Sequence, residues 1–231
     1  MKQASNLLQR VGPFLGALIV LIVVRSTGIA QTIDLLIYDL VISERKAPSG
    51  QNTQITLIGI DESDIQRFGW PIEDGLFCKA FGKLNSKGIN AIGFDIYRDK
   101  GVGSNQQCLR DRFRDNPKLI SIFNVAAGIN PVPGTPIERQ SYNDLSLDAD
   151  GVLRRDLVHV TGQNEATVSF AMRVMEVASG DDSIRRAIDR GNHQDAWLSA
   201  NGGGYHNELD AGLGLQRMLT FREPGSYRTY S

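Results

Sequence analysis

Fourteen residues near the start of the chain, Val11 to Val24 (VGPFLGALIVLIVV), carry no charge and no hydrogen-bonding side chain. A run of this kind belongs in a bilayer, in a buried core, or in a signal sequence that is later removed. With Arg25, Ser26 and Thr27 as its polar interruptions, the apolar stretch continues to Ala30, about the 20 residues that a membrane-spanning helix requires. Arg25 lies toward one end, where a long side chain reaches the interface. Lys2 and Arg10 precede the run and no acidic residue does, so the positive-inside rule leaves the N-terminus in the cytoplasm and exports the remainder of the chain. The resulting division is residues 1–10 cytoplasmic, a transmembrane helix over 11–30, and an extracytoplasmic domain over 31–231.

A cleaved signal peptide is the rival reading, with Gly28-Ile29-Ala30 as a small-x-small cleavage site. A buried soluble helix fits less well, because the run is apolar on every side. The continuation favours an anchor. Ile33, Leu36, Ile37, Leu40 and Val41 recur at helical spacing, and a stripe beginning where the membrane run ends suits a helix that docks on the domain.

The exported part is long enough for a sizeable core. A net charge of −1 gives no reason to expect nucleic acid. Residues 43–54 read as a polar linker. The order beyond it is α/β, with a parallel or mixed sheet and flanking helices. Ile55–Ile60 reads as a buried strand, Glu62–Phe68 as a short helix, Asp74–Leu84 as an amphipathic helix, and Ile89–Ile96 as a second buried strand. This is a β-α-β unit and implies that the two strands pair in parallel. A helix is expected around Gln106–Arg114 and strands over Leu119–Ala126 and Val152–Val160. Thr167–Ala178 and Ser183–Arg190 read as helices, Asn201–Tyr205 as a turn, and Met218–Phe221 as a last short strand.

Asp61 and Asp95 each end an expected parallel strand, the edge at which open α/β sheets place their ligands. Asp61, Glu62, Asp64 and Asp95 are therefore candidates for binding a cation, an amine or a polar solute. The alternative is that Asp61 caps the following helix and Asp95 holds a loop. Arg154-Arg155 is a candidate for an anionic ligand; neighbouring strand residues face opposite ways, so one of the two at most should be buried. Ser146 to Gly151 resembles a calcium loop but has Leu157 where the bidentate acid belongs, so an Asp-Gly turn is the better reading. Gly101-Val102-Gly103 lacks the third dinucleotide-binding glycine. Ser43 to Lys46 matches SxxK without its companion motifs. His159, His193 and His206 have no ligand-like spacing. Nothing calls for a metal or cofactor, and no set of residues assembles into nucleophile, base and oxyanion donors. Cys78 and Cys108 are free to pair in an exported domain; two free thiols is the other reading, since sequence does not set their separation.

The order of these pieces resembles the second type of CHASE domain, the cyclase- and histidine-kinase-associated sensory extracellular domain. The resemblance is carried by IDLLIYDL (33–40), ITLIGIDESDIQRFGWP (55–71), GINAIGFD (88–95), DADGVLRRDLVHV (148–160), TVSFAMRVM (167–175) and TFREPGSYRTYS (220–231). Glu73-Asp74 departs from the proline-arginine type of pair that often follows the Trp-Pro, and residues 191–216 are glycine-rich and hard to align. The resemblance implies a bacterial membrane receptor that signals as a homodimer, with this chain as its input module and a nucleotide cyclase, histidine kinase or Ser/Thr kinase as output beyond Ser231. The stimulus, a small molecule or a protein, is not named by it. The reading from another class is a secreted periplasmic binding module released after Ala30.

Overall fold

The computed structural model describes residues 2–26, 29–46, 50–145, 147–148, 150–160, 167–183, 185–186 and 214–231. Two helices lead the chain, α1 (Lys2–Ser26) and α2 (Ile29–Glu44). Among the described residues no helix is long and apolar enough to cross a membrane. The continuous helix expected over 11–30 is thus not found. The uninterrupted apolar run of α1 is Val11–Val24, which rises only about 21 Å against a hydrocarbon core of about 30 Å. The Gly28-Ile29-Ala30 cleavage signal lies partly outside the described residues.

After β1 (Asn52–Ile58) come α3 (Glu62–Phe68) and α4 (Asp74–Asn85), then β2 (Ile92–Phe94), α5 (Gln106–Asp115), β3 (Leu119–Phe123) and β4 (Gln140–Tyr142). β5 (Arg155–Val160), β6 (Thr167–Val168), α6 (Phe170–Ser179), β7 (Gly214–Met218) and β8 (Tyr227–Tyr230) complete the order. The proposed helix over 183–190 and the turn over 201–205 fall largely or wholly outside the described residues.

Among the described residues the sheets are three, and their pairing differs from the expectation. β2, β3 and β4 form a parallel sheet with Phe94 beside Ser121 and Phe123 beside Tyr142. β5 lies between β6 and β7, antiparallel to both. β1 pairs not with β2 but in parallel with β8, Ile58 opposite Tyr230. The β-α-β crossover is therefore β2-α5-β3. Nor is β1 buried: Ile55, Leu57 and Ile58 are all exposed.

The core is aromatic. Phe77 and Phe81 of α4 meet Phe94 of β2 edge to face, at ring separations of 5.0 and 5.4 Å, and Phe113 of α5 closes the group. Ile72, Leu109, Leu119 and Val132 fill the space around them. Neighbouring strand residues point to opposite faces. Phe94 points to α4 and α5, so Gly93 points the other way, where a Cβ would lie 2.5 Å from the Phe170 ring of α6. Glycine here lets α6 seat against the second face of the sheet.

A disulfide joins Cys78 of α4 to Cys108 of α5, with the Cα atoms 6.0 Å apart. Arg139 finishes α5. Its guanidinium donates to the carbonyls of Phe113, Arg114, Asn116 and Leu119, and a cation there complements the helix dipole.

Two substitutions test this core. The Cys78→Ser, Cys108→Ser double variant is expected to lose about 3.5 kcal/mol in urea unfolding, as for a closed loop of about 30 residues. Phe113→Ala, at a fully buried site, is expected to lose about 3–5 kcal/mol. An unchanged unfolding midpoint in either variant would contradict the role given to it.

Candidate functional site

Two of the polar constellations among the described residues hold residues singled out in the sequence. The first is built on Arg154, the residue just before β5. Its Nε and Nη2 donate to the two carboxylate oxygens of Asp39 on α2, at 2.8 and 2.6 Å. Its Nη1 and Nη2 also donate to Asp150, at 2.9 and 2.7 Å, and Nη1 reaches Asp148 at 3.0 Å. Arg155 pairs with the other Asp148 oxygen at 2.6 Å and donates to Gln216 of β7 at 2.9 Å. Both arginines are buried, with 3% and 1% of their surface exposed. This overturns the expectation that only one would be. Alternation holds within a strand, and Arg154 precedes β5, so both side chains converge on one carboxylate.

The turn that supplies the acids is tight. Asp148 N–H donates to the Val152 carbonyl, Gly151 N–H to the Asp148 carbonyl, and the Asp150 carboxylate takes the Val152 N–H. Gly151 sits at φ +78°, where a side chain would be strained. The acids of this turn face guanidinium groups. Hydrogen bonds from Arg154 hold the Asp39 carboxyl below the usual carboxylate range and bring Asp150 down to about 2.

On α2 the docked face is Leu35, Tyr38, Asp39 and Ile42. Leu35 is buried, the next three are partly so, and Tyr38 Oη donates to the Leu219 carbonyl at 2.6 Å. The expected docking stripe faces the other way. Ile33, Leu36, Ile37, Leu40 and Val41 are 53–63% exposed.

The second constellation is the carboxyl edge of the β2-β3-β4 sheet. Asp95 follows β2, Asn124 follows β3, and Asn143 and Asp144 follow β4. Asn143 Nδ2 donates to Asp95 Oδ1 at 2.6 Å, and Asn124 Nδ2 to the Tyr97 hydroxyl at 3.0 Å. Asp144 takes the Val125 and Ala126 N–H groups. Asp95 is exposed, and partial desolvation by the atoms around it raises its carboxyl above the ordinary value.

Among the described residues no hydrogen bond or ion pair joins Asp61, Glu62 or Asp64 to Asp95. Because β1 and β2 lie in different sheets, the sheet pairing does not bring these residues beside Asp95. They open α3, where Asp61 Oδ1 accepts from the Asp64 N–H at 3.0 Å and Asp64 Oδ2 from the Asp61 N–H at 3.2 Å. This is a reciprocal capping box, and Glu62 adds an acid to the same first turn. Among the described residues no group of three or more His, Cys, Asp or Glu is placed to hold a metal. Sequence reasoning missed Asp39, Asn124, Asn143 and Asp144. Asp39 had a signal: it is a carboxylate on the far side of an apolar helix, and it needs a cation opposite.

A family model for the CHASE2 domain matches residues 16–231, and the chain belongs to that family. The family consists of extracellular sensory domains of signalling receptors, without catalytic activity of their own. No curated protein and no solved structure matches the chain.

The Arg154 cluster has a defined pH dependence. The carboxyls of Asp39 and Asp150 are depressed, so the stability they contribute is present above the unfolded value of about 4. It is lost as pH falls through the folded values, between about pH 4 and 2. Protease cleavage within α2 is therefore expected to stay slow from neutral pH to about pH 5 and to rise only below about 4. Arg154→Ala removes the bonds to Asp39 and Asp150 and leaves Asp148 with Arg155 alone; it is expected to cost about 2 kcal/mol, the scale of a charged hydrogen bond, and to make α2 cleavable at neutral pH. Equal cleavage of variant and wild type would show that Arg154 does not hold the helix.

Proposed function

We propose that this chain is the extracytoplasmic input domain of a membrane-bound receptor. In this reading α1 tethers the domain to the membrane, and the seating of α2 reports to a cytoplasmic cyclase or to a histidine or Ser/Thr kinase. The observation that carries the reading is the grip of Arg154 on Asp39. It joins the helix that follows an apolar segment to the heart of a sensory domain. The aliphatic side chains of α1, Leu15 and Leu18 to Val23, are all half or more exposed, which suits a lipid surrounding. The apolar run of α1 is short for a span, so this reading takes the side of the membrane from Lys2 and Arg10, which the positive-inside rule gives to the cytoplasm.

The stimulus meets the carboxyl edge of the parallel sheet, at Asp95, Tyr97, Asn124 and Asn143. An exposed carboxyl held by the Asn143 amide, with the Asn124 amide and Tyr97 hydroxyl at the same sheet edge, suits a polar solute or an amine. From there a bonded route leads to α2. Asn143 neighbours Tyr142, whose hydroxyl donates to the Leu157 carbonyl of β5. β5 begins at Arg155, beside Arg154 and its hold on Asp39. Coupling through such a chain requires an element with two arrangements; this reading assigns that part to α2, held by the Arg154 cluster, the Tyr38–Leu219 bond and the buried Leu35.

A topology reporter tests the first step of this reading. Alkaline phosphatase, active only outside the cytoplasm, is expected to be active when fused after Ser231. A cytoplasmic reporter at the same position is expected to be inactive. The reverse pattern would place the domain inside the cell and end the proposal.

A further inference from the structure

Helices α4 and α5 run side by side in the same direction, and the contacts between them form a ladder. Cys78 is bonded to Cys108. One turn on, a Cβ placed on Gly82 would lie 3.1 Å from Arg112 Nη2. A further turn on, Asn116 Nδ2 donates to Asn85 Oδ1 at 3.4 Å. Beside this ladder lies a groove of about 630 Å³, the size of a small-molecule site. Leu76, Ala80 and Cys78 give it an apolar lining, and Lys79, Lys83 and Arg112 give it charge. No Asp or Glu lines it.

The acids that could neutralise these cations are committed elsewhere. Asp74, the one carboxylate of α4, accepts the Val102 N–H at 3.1 Å and faces Arg98. On α5, Asp111 and Asp115 both pair with Arg114, each at 2.8 Å. Among the described residues no carboxylate forms an ion pair with Lys79, Lys83 or Arg112. Arg154 and Arg155 are the opposite case, since acids of the chain itself already satisfy them. Arg112 is also partly buried. Its guanidinium lies across α4 at the position where Gly82 has no side chain. Two lysines on an exposed helix face are a solvated surface; a half-buried guanidinium laid beside them over an apolar floor makes a site.

We propose that this groove binds a soluble phosphate monoester with an apolar body. A monoester carries a charge of about −2 at neutral pH and three strong acceptor oxygens. Arg112 forks across two of these oxygens, and Lys79 and Lys83, one turn apart on α4, supply point charges to the rest. Leu76 and Ala80 take the apolar body. A carboxylate, with one charge, leaves cations over. The inference uses other elements than the carboxyl edge of the sheet and does not rest on what binds there.

The test is calorimetric titration of the full chain, in an uncharged detergent, with phenyl phosphate. Saturable binding is expected. Arg112→Gln, and the Lys79→Gln, Lys83→Gln pair, are each expected to weaken it at least about tenfold, the scale of one charged hydrogen bond. Benzoate, which carries the same ring and a single charge, is expected to bind several-fold more weakly. Gly82→Ala separates a binding role from a structural one. Alanine is the better helix former, so the melting temperature is expected to hold or rise. The new methyl displaces the Arg112 guanidinium, so phenyl phosphate binding is expected to fall several-fold. No saturable binding to the wild type, equal affinity for benzoate, or equal affinity in the Arg112→Gln variant would each overturn the proposal. So would binding confined to phosphatidic acid added to the micelles, which would assign the groove to a lipid headgroup.

Discussion

The placement of α2 rests on one guanidinium group. Taking Arg154 out of water costs several kcal/mol, and the structure offsets that cost only by surrounding it with carboxylates in good geometry. Asp148 and Asp150 come from its own turn. The third acid, Asp39, comes from a helix more than a hundred residues earlier and closes a bidentate pair. Lysine could not do this, because a point charge does not fork across two oxygens. A helix gripped at one carboxylate has one rotational setting. That setting turns Leu35 inward and the Ile33–Val41 stripe outward, so the same bond decides which side chains the domain covers and which it leaves exposed.

Buried arginine is a recurring device here, with Arg98, Arg139, Arg154, Arg155 and Arg173 all nearly inaccessible. The reason lies in the lengths of the strands. The parallel sheet has strands of three, five and three residues, so much of the interior backbone is loop and its carbonyls need donors. Arg139 gathers four of them at the end of α5. Arg98 donates to the Ile72 carbonyl and faces Asp74 across 3.6 Å. Arg173 takes the Gln140 carbonyl and pairs with Glu176. Each supplies donors in a planar fork where a short sheet leaves acceptors unpaired.

Features written in adjacent residues were legible in the sequence. The amphipathic period located α4 and all of α6 but its start, where Thr167 and Val168 form β6 instead, the dense apolar run located β3, and of the two readings of Asp61 the helix cap is the one observed. The ordered set of segments also carried the likeness to CHASE2 domains. The parts that failed depend on residues far apart. Nothing in ITLIGI says that its parallel neighbour is YRTY, more than 160 residues on, because any apolar strand satisfies any other locally. The outward turn of the α2 stripe was hidden for a similar reason: periodicity finds a face but does not say what it meets. Arg154 and Arg155 were misjudged because the strand was started three residues too early, and alternation was applied to a residue outside it.

The C-terminal segment shows how a movement of α2 would spread. Leu219 is held twice, its N–H by the Arg154 carbonyl at 2.8 Å and its carbonyl by the Tyr38 hydroxyl. It lies between β7, which pairs with β5, and β8, which pairs with β1. Beyond it Arg222 donates to the Gly50 carbonyl, and the Asn52 N–H donates to the Ser226 carbonyl. The residues just after α2 and the residues that end the domain are therefore bound side by side. A turn or slide of α2 that breaks Asp39 from Arg154 also strips Tyr38 from Leu219 and loosens the segment leading to β8. Ile55, Leu57, Ile58 and Tyr230 of the β1–β8 pair are exposed, so displacement at the start of the domain would be felt at its end.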